Sequence, residues 1–374
     1  MFRHDWTKQI WMVCGFALLV LGYAGCSGEA NKPVAAPTAS ALAVEKVAKV
    51  SLPEIDASKG ERPTKPGDYR VSMGNRQFLL HLPPGSPDTG DKKRQVLCLL
   101  HGAHEDDPES WGLRKFGMNA HADKDGFICV YPIAQPVYSV LSKEFYAWNS
   151  KLGTLAEFRE KFEDDAQFLK MIHGWLVQNV SADPEDFSLG GFSEGALMST
   201  IMAQTGELPI NWLFSCGGTL LEGQEKRHPQ KGPRHVFIQL NMKDDKVLPN
   251  NKDGVVVQGT QFGMAQLVGY VNMAKSKPLS QVRYWRQEFL AGGGKEEHSA
   301  EEKKGVYRRN TYLVRQADGG VKHATVVDEV VEGEHAWHGH PEGGDPEEGI
   351  KPRMDYSLPD TIAELLRKYK APGK

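Results

Sequence analysis

Cysteine is scarce in this chain. The five residues, at positions 14, 26, 98, 129 and 216, are too few and too scattered for a disulfide scaffold, and none forms the C-x-x-C pair of a zinc or redox site. An excess of basic charge is also missing, because 45 Lys+Arg stand against 48 Asp+Glu for a formal net charge of -3. Nucleic acid is therefore not an expected partner, since binding a phosphate backbone needs a basic footprint. No internal repeat is present, which argues against a repeat architecture. What is present is a globular composition, 40% hydrophobic and 25% charged, with 39 Gly and 22 Pro marking many turns without approaching low complexity. The 374 residues exceed one average domain. They fit a single large α/β domain once a targeting segment and a linker are subtracted, and two to three small domains is the competing count.

Residues 1–26 read as such a targeting segment. A short n-region carries Arg3, His4 and Lys8, an apolar stretch runs from Ile10 to Leu21, and small residues follow. The apolar stretch is too short to span a membrane comfortably. Tyr23-Ala24-Gly25-Cys26 resembles the lipobox of bacterial lipoproteins, with Tyr23 standing where Leu is usual, and implies lipidation at Cys26. Ordinary secretion and an uncleaved anchor are the alternatives, and either cleaved form exports the protein to a periplasmic or extracellular location, the lipidated one anchored to the membrane. Residues 27–67 are rich in Ala, Pro, Ser, Lys and Glu with no sustained apolar period, which predicts a disordered linker. The folded domain is expected over 68–371.

Within it, strand and helix patterns alternate. Tyr69–Met73 and Arg76–Leu82 flank Gly74-Asn75 and predict a hairpin. Val96–Leu100 and Gly126–Tyr131 are continuous apolar runs of the kind buried on both faces, and Phe187–Gly190, Trp212–Cys216 and His235–Leu240 continue the series. Helical spacing falls over Asp164–Val180, Glu194–Gln204, Phe262–Ala274 and the C-terminal stretch opened by Ser357-Leu-Pro-Asp. Lys275–Gly320, with its three glycines and charged run, reads as a solvated insertion. The fold class expected is α/β, a mainly parallel sheet with helices on both faces and its ligand site at the carboxyl ends of the strands.

Gly191-Phe-Ser193-Glu-Gly195 matches G-x-S-x-G between a strand and a helix, the context in which the motif presents a nucleophilic serine on a sharp turn. Such a serine needs a base held by an acid, in the chain order Ser, Asp or Glu, His. Asp244 and Asp245 follow the strand His235–Leu240, and Asp245 is the first choice with Asp244 still open. His335 follows the strand Thr325–Val331 and is the candidate base. His338 and His340 lie close by, so a metal reading of the three histidines with Glu334 or Asp345 is the alternative, although no H-E-x-x-H accompanies them. An oxyanion hole is expected from backbone N–H groups at Ala103, after Leu100-His101-Gly102, and at Glu194.

These segments, with Arg76–Gly85, Gly126-Phe-Ile-Cys-Val-Tyr-Pro132, Trp148-Asn149, Asp164-Asp165 before Phe168-Leu169, Asp245-Lys-Val-Leu-Pro249 and Gly333-Glu-His335-Ala-Trp337, resemble the polyhydroxybutyrate depolymerase and feruloyl or acetylxylan esterase group of α/β-hydrolases. The resemblance implies the α/β-hydrolase fold and a serine esterase with Ser193, Asp245 and His335 as its triad, and it favours Asp245 through the D-x-x-x-P segment. It implies no cofactor and no metal, and an ester substrate that includes polymeric forms. Two departures stand out: Ala103-His-Glu-Asp-Asp107 replaces a glycine-rich stretch, and Glu194 replaces a small or amide residue. Trp148, Trp337 and Tyr138 are candidates to line the mouth and stack on substrate, with burial in the core as the alternative. A peptidase or lactone hydrolase with the same triad and a non-catalytic surface binding module are the competing functions. Cys98, Cys129 and Cys216 lie in predicted buried strands and read as small core residues, and the sequence leaves a bridge between Cys98 and Cys129 open.

Overall fold

The computed structural model describes residues 51–371, apart from 88–92, 104–106, 139–143, 149–164, 219, 222–231, 245–277, 280, 300 and 346–348. The segment read as a signal, with Cys26, the expected linker as far as residue 50 and the helix expected over Phe262–Ala274 lie outside the described residues.

Apolar runs such as Val96–Leu100, with every side chain out of water, demand cover on both faces and so sit mid-sheet. In chain order the first half comprises β1 (Glu54–Asp56), β2 (Gly67–Met73), β3 (Arg76–Leu82), β4 (Arg94–Leu100), α1 (Asn119–Asp125), β5 (Ile128–Pro132), β6 (Gln135–Tyr138), β7 (Glu144–Ala147) and α2 (Asp165–Asn179). Then follow β8 (Ala182–Phe192), α3 (Glu194–Thr205), β9 (Ile210–Cys216), β10 (Leu220–Leu221), β11 (His235–Asn241), β12 (Pro278–Leu279) and α4 (Gln281–Ala291). The chain closes with β13 (Glu296–His298), β14 (Glu302–Lys304), β15 (Tyr307–Arg315), β16 (Val321–Val330) and α5 (Leu358–Lys368).

The main sheet has the order β1-β2-β3-β5-β4-β8-β9-β11-β16-β15-β13, with β14 also paired to β15. Its centre, β5-β4-β8-β9-β11-β16, is parallel throughout. The hairpin β2–β3 joins antiparallel to β5 around Gly74, whose φ of 66° suits the turn. Helices α2, α3 and α4 cover one face through Phe168, Met202 and Trp285, and α1 and α5 cover the other through Ala122, Ile362 and Leu366. Ser357 caps α5, its hydroxyl accepting from the Asp360 N–H, with Pro359 in the first turn as the sequence predicts.

Two regions differ from the expectation. Regular structure is present ahead of residue 68, inside the segment read as a linker. Glu54–Asp56 pairs parallel with β2 as an edge strand, and three residues are too short a segment to show a period against Pro- and Lys-rich flanks. Lys275–Gly320 is not a plain solvated insertion, because it holds α4 and the antiparallel β13, β14 and β15. Its charges persist because an edge hairpin faces water on one side, while Arg309 on β15 is buried and forks onto Asp328 of β16 at 2.7 Å through two N–H groups. The register of β4 against β5 sets Leu97 opposite Cys129 and Cys98 opposite Val130. Cys98 and Cys129 therefore point to opposite faces of the sheet, and both are free thiols.

Candidate active site

Ser193 stands between the carboxyl end of β8 and the first residue of α3. Its backbone takes φ 54° and ψ −117°, a conformation that an L-residue adopts only when its surroundings hold it there. Two neighbours do the holding: the Ser193 N–H donates to the Cys216 carbonyl at 3.0 Å, and the Leu197 N–H donates back to the Ser193 carbonyl at 3.2 Å. The flanking glycines are steric necessities. A Cβ on Gly191 would lie 2.6 Å from the Leu100 carbonyl oxygen, and one on Gly195 would collide with that same oxygen and with the His101 carbonyl. Helix α3 thus begins in direct contact with the exit of β4, which brings the loop of His101, Gly102 and Ala103 against the elbow.

His335 follows β16. Its Nε2 lies 2.9 Å from Ser193 Oγ and its Nδ1 lies 2.7 Å from Asp244 Oδ2. Both rings of the pair Phe192–His335 meet at 4.8 Å between centroids, giving the imidazole one apolar wall. The carboxylate that His335 meets is that of Asp244, and not that of Asp245 as the sequence favours; Asp245 itself lies outside the described residues. The reason is the turn after β11. The Asp244 N–H donates to the Asn241 carbonyl at 3.1 Å, the Lys243 N–H donates to the Gly333 carbonyl at 2.8 Å, and the Lys243 ammonium pairs with Glu332. This seam binds the turn to the loop carrying His335 and buries the Asp244 side chain. Nothing local in two adjacent aspartates signals which one the turn directs inward.

The other histidines do not converge with His335 on a common point. His338 is buried; its Nδ1 accepts from the Arg353 N–H at 3.0 Å, so its Nε2 carries the proton and donates to Asn241 Oδ1 at 3.1 Å. Gln239 donates to the same Asn241 oxygen at 2.8 Å. Burial pushes the His338 pKa down to about 4, so the ring is neutral. His340 Nδ1 accepts from the Glu342 N–H at 3.3 Å. Among the described residues no group of three or more His, Cys, Asp or Glu side chains is placed to hold a metal ion.

Trp148 and Trp337 are core residues and do not line a mouth. Trp337 has no exposed surface, donates its indole N–H to the Phe116 carbonyl at 3.2 Å and meets the Phe116 ring edge-on. Trp148, 2% exposed, donates its indole N–H to the His101 carbonyl at 2.8 Å. Tyr138 lies in β6, with its side chain outside the described residues. Sequence reasoning assigned no role to the Glu194 side chain, whose Oε2 accepts from the Trp148 backbone N–H at 3.0 Å. His101 is buried and held near a pKa of about 4 by that burial. Its Nε2 accepts from the Ala134 N–H at 3.1 Å and its Nδ1–H donates to the Gly102 carbonyl at 2.7 Å, which settles its tautomer.

An imidazole between a hydroxyl and a buried carboxylate can take the hydroxyl proton while the carboxylate stabilises the resulting cation. A serine elbow at the end of a central parallel strand, with acid and histidine following on later strands in the order Ser, Asp, His, defines an α/β-hydrolase. Residues 87–258 match the family model described as phospholipase/carboxylesterase, and the chain is accordingly an enzyme, a serine hydrolase of carboxylic esters. No curated protein matches the chain. Among solved structures it is similar to an acetyl xylan esterase from Aspergillus awamori at 13% identity and a TM-score of 0.41, over 70% of this chain and 89% of that one. It is also similar to an S-formylglutathione hydrolase from Agrobacterium tumefaciens at 14% identity and a TM-score of 0.37, over 49% of this chain and 79% of that one.

Proposed function

We propose that the enzyme cleaves esters by acyl transfer through Ser193, with His335 as general base and acid and Asp244 as the carboxylate that orients it. The observation that carries this reading is the continuous line from Asp244 Oδ2 through His335 to Ser193 Oγ, at 2.7 and 2.9 Å. Ser193 Oγ attacks the ester carbonyl carbon as its proton passes to His335 Nε2. The tetrahedral intermediate collapses when His335 returns that proton to the leaving alcohol, and a water activated by His335 then releases the acid and restores Ser193. The backbone N–H groups of Glu194, at the start of α3, and of Ala103 bind the oxyanion.

The sequence resemblance to polyhydroxybutyrate depolymerases and feruloyl or acetylxylan esterases supports a substrate carried on a polymer, either an acylated polysaccharide or a polyester. The lipobox-like Tyr23–Cys26 supports export and a lipid anchor at Cys26. The test is hydrolysis by the chain lacking residues 1–26 of short-chain nitrophenyl esters, methyl ferulate, acetylated xylan and hydroxybutyrate oligomers, beside Ser193→Ala. Ester turnover lost in Ser193→Ala is the expected result, and the best substrate then chooses the polymer. Wild-type turnover in Ser193→Ala refutes the mechanism.

A further inference from the structure

The strand β4 ends at Leu100, before the loop expected to present Ala103, and an oxyanion donor works only if it is held where charge will develop. Three side-chain contacts supply a brace. The Glu194 carboxylate, one residue past Ser193, accepts from the Trp148 backbone N–H at 3.0 Å. Trp148, packed beside the His101 ring with centroids 5.0 Å apart, donates its indole N–H to the His101 carbonyl at 2.8 Å. His101 in turn spans the Ala134 N–H and the Gly102 carbonyl, at 3.1 and 2.7 Å. The chain of contacts starts at one proposed oxyanion donor residue, Glu194, and ends on the residues immediately before the other, Ala103.

We propose that the Glu194 side chain, acting through Trp148, is a positioning residue that sets the distance between the two halves of the oxyanion hole. This rests on the esterase reading above and assigns a purpose to the acidic residue in the motif. A carboxylate close to a developing oxyanion is unfavourable by charge alone, and its bond to the Trp148 N–H directs it to a donor and gives it a structural use. The brace transmits position rather than charge, so an amide at 194 retains it in part and an alanine does not.

The experiment measures kcat and KM on a nitrophenyl ester with full-length protein carrying Glu194→Ala, Glu194→Gln and Trp148→Phe. Inhibition by phenylboronic acid, which forms a tetrahedral adduct on an active serine, is measured in parallel. A displaced donor costs about 10- to 100-fold, by analogy with small misplacements of catalytic groups. Glu194→Ala and Trp148→Phe should lose that much kcat with KM within about threefold, and the boronate Ki should rise by a similar factor; Glu194→Gln should recover most of the loss. Trp148→Phe leaves the backbone N–H that Glu194 accepts from and breaks only the indole link to His101, at the cost of part of the ring's packing, so it carries the test if Glu194→Ala does not fold. Wild-type kcat and boronate affinity in Trp148→Phe, or a loss in Glu194→Gln as deep as in Glu194→Ala, would overturn the brace. An active Ser193→Ala would instead overturn the esterase reading beneath it, so the two failures are separable.

Discussion

Replacing Asp244 with Asn tests the site at the point where sequence and structure part. The carboxylate contacts His335 Nδ1 at 2.7 Å from a buried position. With charge centres about 4 Å apart and an effective dielectric near 20, it stabilises the imidazolium by about 4 kcal/mol, which is roughly three decades of rate. Asn also offers Nδ1 an N–H, which favours the tautomer with the proton on Nε2 and so removes the acceptor facing Ser193 Oγ; the combined loss in kcat is about 10³- to 10⁴-fold. Asp245→Asn should cost less than about threefold, because Asp244 already fills the place beside His335 Nδ1. The assay is steady-state hydrolysis of a nitrophenyl ester, with equilibrium denaturation of both variants to confirm folding. If Asp245→Asn abolishes turnover while Asp244→Asn spares it, the assignment of the acid is refuted.

Three more outcomes follow from the same packing. Trp337→Ala should lower stability by about 3–5 kcal/mol, as for other buried large-to-small changes, and a urea titration reads it; an unchanged midpoint with a raised KM would return Trp337 to the substrate. Gly195→Ala should lower kcat more than about 100-fold, because the new Cβ meets backbone oxygens of Leu100 and His101 and must shift the elbow; undiminished turnover would refute that steric argument. Burial lowers the pKa values of His101, His235 and His338 to about 4, 3 and 4, so between pH 6.5 and 4 the unfolded chain binds protons that the folded chain refuses. Stability should therefore fall with pH across that window, by up to about 3 kcal/mol per histidine, partly offset in the carboxyl range by Asp186 and Asp328, whose carboxyls burial raises. Denaturant titrations at pH 7, 6 and 5 check this, and a flat profile would contradict it.

Much of the scaffold is written in local pattern. The runs Val96–Leu100 and Trp212–Cys216 become central strands because their continuous apolarity admits no exposed face, and α2 and α3 fall within a residue of where their spacing places them. The elbow was legible for the same reason: two glycines around a serine between a strand and a helix form a local steric device. His335 was legible from its place after the last apolar strand.

Choices between near-equivalent residues were not local. Asp244 and Asp245 share chemistry and neighbourhood, and only the seam joining the Asn241–Asp244 turn to Gly333 and Glu332 makes one of them the partner of His335. Trp148 and Trp337 carry large amphipathic rings that suit a mouth or a core equally well. Long-range partners, the His101 and Phe116 carbonyls, take their indole N–H groups and bury them. The edge strand β1 and the charged β15 escaped the pattern because they take their identity from a neighbouring strand and not from their own period. The sequence by itself determined the layered α/β frame and the serine at its switch between strand and helix, since burial periodicity and steric allowance are properties of short segments. Only the tertiary structure decided which acid, which tryptophans and which contacts complete the site, because a hydrogen bond across 91 residues, as between Asp244 and His335, depends on where two distant loops meet.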